Sequence, residues 1–308
     1  MAKLQEPKYV YMGGGLRLWH EATLHIGCEA VTRSVNVFEG LKGYWQPAGP
    51  FGIVQLRRHY ERLRRSARLL RIPFETPFDE YEKALAQLVE VLLEPGRDMW
   101  FRTTLYAVEG HWGEGTVADL VITGYHQDMR VPDPIALGVS TWRRSPDVSL
   151  PARIKAGSNY QVARLARMEG QARGCHDMVL LNHSGRVAEA TGSCIVMVRD
   201  GVIHTPPATE GALESITLDI VEALAQSMNI PFVRRPIDRT ELLVADELAI
   251  CGTLAELIIV SSIEGFPLDV EAPLLRSLQE RFFRAVRNIE PHPFVELSVL
   301  TSKMTTAR

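Results

Sequence analysis

Lysine is scarce in this chain: of 34 basic residues only six are lysine, and the other 28 are arginine. Chemistry that needs a side-chain amine therefore has few candidates, and Lys155 is the only lysine between residues 84 and 302. Cysteine is scarce too. The four, Cys28, Cys175, Cys194 and Cys251, form no CxxC pair, which argues against a zinc site or a disulfide framework and for reduced thiols in a cytoplasmic protein. No apolar run reaches the length of a membrane span, and the polar start MAKLQEPKYV lacks the apolar stretch of a secretory leader. A dominant charge is missing as well. The 34 basic and 37 acidic residues are mixed along the chain and leave a net −3, so no global field draws nucleic acid or an anionic membrane. Without a Walker loop, a GxGxxG after a strand, an HExxH or a GxSxG, the usual markers of phosphoryl transfer, dinucleotide redox, zinc hydrolysis and serine hydrolysis are absent.

What is present is enough apolar residue, 46% of 308, for a large core and more than one domain. YVYM and VNVFEGLKGYW read as strands, Arg57 to Arg71 and Phe78 to Leu93 as helices, and MWFRTTLYAV and ADLVITGY as two more strands. Thr76 is expected to cap the second helix with Pro77 in its first turn and Asp79 and Glu80 at the positive end of its dipole. The Pro-containing stretch after them divides an N-terminal domain (1–126) by a linker (127–134) from a larger C-terminal domain (135–308). In the second half, Asn159 to Arg173 and Ile216 to Met228 read as helices, Asp200-Gly201 as a hairpin turn, and DMVLLN, SCIVMV, DELAIC and AELIIVSSI as strands. The whole is α+β in two domains, without regular strand-helix alternation.

Five features stand out together: Lys155 in IKAGSNYQ, Glu189 in RVAEATG, Arg62 in HYERL, and Thr217 and Thr253 near chain turns. They resemble the class IV aminotransferases, fold-type IV pyridoxal-phosphate enzymes that include the branched-chain amino acid transaminases and share the two-domain architecture of D-amino acid aminotransferase. The likeness runs from about Val35 to Gly265, and the family's spacing from Schiff-base lysine to glutamate is matched by the 34 residues from Lys155 to Glu189. It implies pyridoxal 5'-phosphate as cofactor, no metal, a homodimer or larger homo-oligomer, and a small-molecule amino donor and 2-oxo acid acceptor. By the same resemblance Lys155 is the catalytic amine, Glu189 faces the pyridine nitrogen, Tyr160 meets the phenolic oxygen and Leu213 packs on the ring. Arg62, the helix start Ser215-Ile216-Thr217 and the turn Gly252-Thr253 take the phosphate. Physical chemistry supports these roles: burial beside a cationic cofactor makes a lysine neutral, a carboxylate keeps the ring nitrogen protonated, and helix N-termini bind phosphate.

The substrate side departs from the branched-chain pattern. Arg33 stands where those enzymes carry a pocket tyrosine, Trp100-x-Arg102-Thr103 where they carry Tyr-x-Arg-Pro, and Cys194 where they carry asparagine. Phe38, Leu254 and Ala255 join Arg33, Trp100, Arg102 and Trp112 as expected substrate contacts, with the arginines suited to a carboxylate and the tryptophans to an apolar wall. The loop VEGHWGEG (Val108 to Gly115) also departs from the family's glycine-rich one. The expected reaction is transfer of an amino group from a branched-chain or similar aliphatic L-amino acid to 2-oxoglutarate. A D-amino acid transaminase, an (R)-selective amine transaminase and an aminodeoxychorismate lyase are the alternatives on the same fold. A further alternative is a nucleic-acid patch on the helix Arg57 to Arg71, which holds seven arginines; the lack of alternating aromatics favours a solvated face instead.

Overall fold

The computed structural model describes residues 5–300. In chain order the elements are β1 (Tyr9–Met12), β2 (Gly15–Leu18), α1 (Glu29–Thr32), β3 (Asn36–Trp45), β4 (Phe51–Val54), α2 (Leu56–Leu69), α3 (Phe78–Leu92), β5 (Asp98–His111) and β6 (Glu114–Gln127). There follow β7 (Ile135–Arg143), α4 (Gln161–Ala172), β8 (Asp177–Leu181), β9 (Val187–Ala190), β10 (Cys194–Arg199), β11 (Val202–Thr205), α5 (Ile216–Ser227) and β12 (Phe232–Arg234). The chain closes with β13 (Glu247–Gly252), β14 (Glu256–Ile263), β15 (Phe266–Pro267), α6 (Pro273–Val286) and β16 (Leu297–Val299).

Two compact units result. The first takes the described residues up to Arg130, together with Lys155–Ser158 and those from Val286 on; the second takes Val131–Ile154 and Asn159–Ala285. The division after Arg130 falls inside the stretch 127–134, whereas 155–158 and 286–300, expected in the C-terminal domain, group with the first unit.

The first unit is built on a seven-stranded sheet of order β16-β4-β3-β5-β6-β1-β2, antiparallel throughout. Its β3 alternates two sets of side chains: Val37, Glu39 and Leu41 on one face, Asn36, Phe38, Gly40 and Lys42 on the other. Gly43 is dictated by packing, because a Cβ there would lie 2.1 Å from Phe51 Cζ across the β3–β4 pair. The α3 helix buries Tyr81, Leu85, Leu88 and Leu92, a stripe at helical spacing worth about 1.5–3 kcal/mol per buried side chain. Thr76 does not cap it: Pro77 takes the N-cap position in an extended conformation, with no side-chain cap, and the Thr76 carbonyl instead accepts from the Tyr60 hydroxyl. The stretch expected as a loop around Trp112 is the end of a long β5–β6 hairpin, closed by Trp112 and Gly113 at φ 52° and 88°. That pair of left-handed residues matches the twist of the two strands.

The second unit carries a nine-stranded mixed sheet of order β12-β11-β10-β13-β14-β7-β8-β9, with β15 beside β14. The β7 strand runs parallel to both β8 and β14, while β13 lies antiparallel between β10 and β14. Val179, Ile195, Met197, Leu248, Ile250 and Val260 form the centre of one apolar cluster. On α4, Gly170 lets the helix approach the sheet, since a Cβ would meet Met178 Cγ at 2.8 Å. The Asp200-Gly201 turn joins β10 to β11 with both residues left-handed, as its sequence demands. Among the described residues no helix is long and apolar enough to cross a membrane.

Candidate active site

Lys155 sits in a segment held to the first unit by its main chain. Its N–H donates to Ser66 Oγ at 3.1 Å, its carbonyl accepts from Phe38 N–H at 2.9 Å, and the next residue, Ala156, bridges to Val37. The Lys155 ammonium lies 5.0 Å from the centroid of the buried Phe38 ring. The same ring carries the Arg102 guanidinium at 3.9 Å, because Phe38 on β3 and Arg102 on β5 project from the same sheet face. An aromatic quadrupole attracts both cations and fixes where they stand.

Behind β3, on the opposite face, lies a buried charge cluster of which Arg62 is the one member foreseen from sequence. Arg62 donates from Nε to Glu39 Oε1 at 2.7 Å and from Nη2 to Oε2 at 2.8 Å, a bidentate pair. His59 Nδ1 donates to Glu39 Oε2 at 2.7 Å. Burial alone would raise the Glu39 carboxyl, yet the charge and hydrogen bonds of Arg62, with the bond from His59, hold it down at about 2. Burial pushes His59 the other way, below its ordinary value, so the imidazole is neutral. The cluster follows from α2 itself: His59, Arg62 and Ser66 recur at intervals of three and four, on the face turned to the sheet.

The expected substrate residues are not all brought together. Trp100 stacks on Tyr125 at 5.4 Å, in space left by Gly40, whose missing Cβ would come within 3.1 Å of Trp100 Nε1. Trp112 stands 76% exposed at the far end of β5, so within this unit the two tryptophans form no common wall. Arg33 goes with Trp112, its guanidinium 4.6 Å from the indole, and both are tied to the buried Glu29: Arg33 Nη1 at 3.5 Å and the Trp112 N–H at 2.9 Å, on the same oxygen.

In the second unit Glu189 lies on the short strand β9, which comes just before the SCIVMV strand β10. Its Oε2 accepts from the Leu213 N–H at 3.0 Å and its Oε1 pairs with Arg144 Nε at 3.1 Å. Arg144 had no signal in the sequence. It is buried, and it also donates to the carbonyls of Gly211 and Asn159, which ties the Glu189 strand to the Leu213 turn and to the GSNY element ahead of Tyr160. Asn159 in turn donates to the carbonyls of Pro151 and Ile154, while its buried Oδ1 has no partner among the described residues. At the start of α5 the Ser215 hydroxyl caps the Leu218 N–H, leaving the amides of Ile216 and Thr217 without an intrahelical acceptor. Gly252 ends β13 so close to Gly192 that a Cβ would sit 3.2 Å from its carbonyl oxygen, and Thr253, Leu254 and Ala255 make the turn into β14.

A pairing not foreseen is that of Cys194 with Cys251, directly opposite each other on β10 and β13, beside that turn. The hydrogen bond to Cys194 and full burial push the Cys251 thiol up. Thiolate is the reactive form, so Cys175, the only half-exposed thiol of the four, is expected to react with iodoacetamide first at neutral pH. Peptide mapping checks this, and alkylation of Cys251 ahead of Cys175 would contradict it. Among the described residues no group of three or more His, Cys, Asp or Glu is placed to hold a metal ion.

Residues 36–263 match the family model for amino-transferase class IV. The chain belongs to the class IV aminotransferases. A probable branched-chain-amino-acid aminotransferase of Synechocystis is 30% identical over 89% of this chain and 90% of its own. Among solved structures, the branched-chain amino acid aminotransferase of Thermobaculum terrenum in its pyridoxal-phosphate form is 33% identical, covering 95% of this chain and 98% of its own, with a TM-score of 0.86. That of Thermoproteus uzoniensis with norvaline is 29% identical, covering 96% and 100%, with a TM-score of 0.89. This class IV aminotransferase thus has the α+β, two-domain fold-type IV architecture and is a pyridoxal-phosphate-dependent enzyme.

Proposed function

We propose that this class IV aminotransferase moves the amino group of a branched-chain or similar aliphatic L-amino acid to 2-oxoglutarate, as a cytoplasmic homodimer or larger homo-oligomer. The observation that carries the reading is that the one lysine between residues 84 and 302 is clamped at both its N–H and its carbonyl, within the stretch matching the family. The relatives named above as branched-chain enzymes support the substrate class.

The donor set fits pyridoxal phosphate. Two unbonded amides and the Thr217 hydroxyl at the α5 N-terminus suit a phosphate, and Glu189, oriented by Leu213 N–H and Arg144, suits a protonated ring nitrogen. When bound, the cofactor supplies an aldehyde for amine exchange and a ring that accepts electrons from the substrate Cα. Lys155 Nζ anchors it and carries the proton to and from the substrate. Glu189 holds the ring nitrogen, Tyr160 the phenolic oxygen, and Leu213 backs the ring. Arg62, Ser215, Ile216, Thr217, Gly252 and Thr253 hold the phosphate. Arg33 and Arg102 orient substrate carboxylate, and Phe38, Trp100, Trp112, Leu254 and Ala255 shape the apolar side.

Titrating the holoenzyme with L-leucine in the absence of acceptor is expected to bleach its visible band and leave the amine form of the cofactor. A response confined to D-alanine or to (R)-1-phenylethylamine would transfer the enzyme to a D-amino acid or an (R)-selective amine transaminase. Pyruvate release from aminodeoxychorismate without any acceptor would make it a lyase.

A further inference from the structure

Two of the four cysteines meet across a strand pair. Cys194 on β10 and Cys251 on β13 are directly opposite in an antiparallel ladder, and one thiol hydrogen-bonds the other. Residues so placed have Cβ atoms about 4.5–5.5 Å apart, and a disulfide closes at about 3.5–4.5 Å, so a movement of about 1 Å brings the sulfurs into bonding range. Cys28 belongs to the first unit, and Cys175 stands ahead of β8, three strands from β13. Cys194 is moreover a departure of this chain, standing where the branched-chain pattern has asparagine, so the pair is no part of the common cofactor machinery.

The pair sits at the root of a segment assigned to the cofactor phosphate. Ile195, Met197, Leu248 and Ile250 enter the apolar cluster, so by alternation Cys194 and Cys251 point to the other face of the sheet. The α5 helix packs against β13, and the charge of Asp219 in its first turn reaches the Cys251 thiol. Cys251 leads straight into Gly252-Thr253, where Gly252 has little room: a Cβ there would lie 3.2 Å from the Gly192 carbonyl oxygen and 3.3 Å from Oγ of Ser193, the residue before Cys194. A bond that draws the two strands together therefore displaces the Gly252-Thr253 turn.

We propose that Cys194 and Cys251 are a modification site, a dithiol that a peroxide converts to a cross-strand disulfide and a thiol reductant restores. Cys194 is 5% exposed and Cys251 fully buried, so Cys194 meets the oxidant. A small neutral peroxide passes where a bulkier alkylating reagent is held out. Cys194 Sγ, having given up its proton, attacks one peroxide oxygen; the O–O bond breaks, and the other oxygen leaves as hydroxide and takes up a proton to become water. The Cys251 sulfur then attacks the sulfenic sulfur of Cys194, the S–O bond breaks, and the hydroxyl leaves with the Cys251 proton as a second water. The two thiols lose two electrons, and one peroxide is reduced to two waters. The effect on cofactor binding rests on the placing of the phosphate at Gly252-Thr253 in the proposed function: the displaced turn weakens pyridoxal phosphate by about tenfold or more, the loss of one hydrogen bond to a charged group.

The test adds hydrogen peroxide to the holoenzyme, alkylates the remaining thiols after unfolding, and maps the digest by mass spectrometry without reductant. The expected product is a linked peptide pair containing Cys194 and Cys251, two hydrogens lighter than its thiol forms, that dithiothreitol separates. Absence of that pair while Cys175 is oxidised in the same sample overturns the proposal, as does linkage of Cys194 or Cys251 to another cysteine in its place. Equilibrium dialysis of pyridoxal phosphate against reduced protein, oxidised protein and peroxide-treated Cys194→Ala reads the consequence: affinity falls in the native chain only and returns with dithiothreitol. An equal fall in the variant would trace the loss to a different oxidation, against the proposal. If the linked pair forms and affinity is unchanged, the disulfide stands and the phosphate assignment of the turn falls. Because the linkage is read by mass in the native chain, it depends neither on the folding of the variant nor on a visible band.

Discussion

Lys155→Ala is expected to lower the transamination rate by ~1,000-fold or more, since it removes both the cofactor's anchor and the group that moves the substrate proton. The fold should survive. What ties this segment in place is main chain, the Lys155 N–H to Ser66 and its carbonyl to Phe38, and an alanine keeps both bonds. Thermal melts and circular dichroism should therefore match the native chain while the visible band is lost and turnover with L-leucine and 2-oxoglutarate falls. A variant that still turns over at the native rate would end the assignment of the lysine.

Glu39→Ala is expected to have the opposite profile, a loss of stability first. It would leave Arg62 buried without its bidentate partner, and breaking such a pair costs about 3–5 kcal/mol. The milder Glu39→Gln separates charge from shape and gives the pH signature. A carboxyl at 4.5 in the unfolded chain and about 2 in the folded one stabilises the native state above pH 4.5, a contribution lost as pH falls toward 2. That contribution is worth about 3 kcal/mol. His59 works in the same direction from a higher pH: held neutral by burial in the fold, it takes up a proton more readily once unfolded, so stability also falls with acid below about 6.5. Urea unfolding at pH 6, 5, 4 and 3 should show the native chain losing ground to Glu39→Gln mainly in the last two steps. Parallel curves would mean that Glu39 carries no charge in the native state.

The parts of the fold legible in advance are those with local signals. The amphipathic stripes of α2 and α3, the Asp200-Gly201 hairpin and the apolar strands β8, β10, β13 and β14 each carry their pattern within a dozen residues. The four-residue β4, FGIV, is buried at every position and shows no alternation, and β16 is three residues long; both owe their strand to pairing with chain far away, Leu297 opposite Val54. Membership of the first unit by Lys155–Ser158 is likewise a matter of hydrogen bonds to residues more than eighty positions earlier. In the candidate site, Lys155, Glu189 and Arg62 stood out through motif and spacing. Glu39 and His59 are 20 residues apart and acquire meaning only when β3 and α2 pack, although Glu39 lies within the VFEG run that was read as a strand. Arg144 was one arginine among 28 until its guanidinium was seen on Glu189. The Cys194–Cys251 pairing spans 57 positions and is a register, which no count of cysteines contains.

The hairpin at Trp112 was hidden for a related reason: its turn takes two left-handed residues, and Trp112, a residue type with no preference for that conformation, occupies one of them. Its backbone N–H on Glu29 and its ring against Arg33 hold a conformation that costs a non-glycine residue energy.

Gly43 has a bearing on how this chain can vary over generations. With Phe51 Cζ 2.1 Å from where any side chain would begin, a residue other than glycine at 43 must push that ring aside unless position 51 is made smaller. Making position 51 smaller first would open a void in a fully buried strand. Substitutions at the two positions are therefore expected to be coupled, each costing more alone than beside the other.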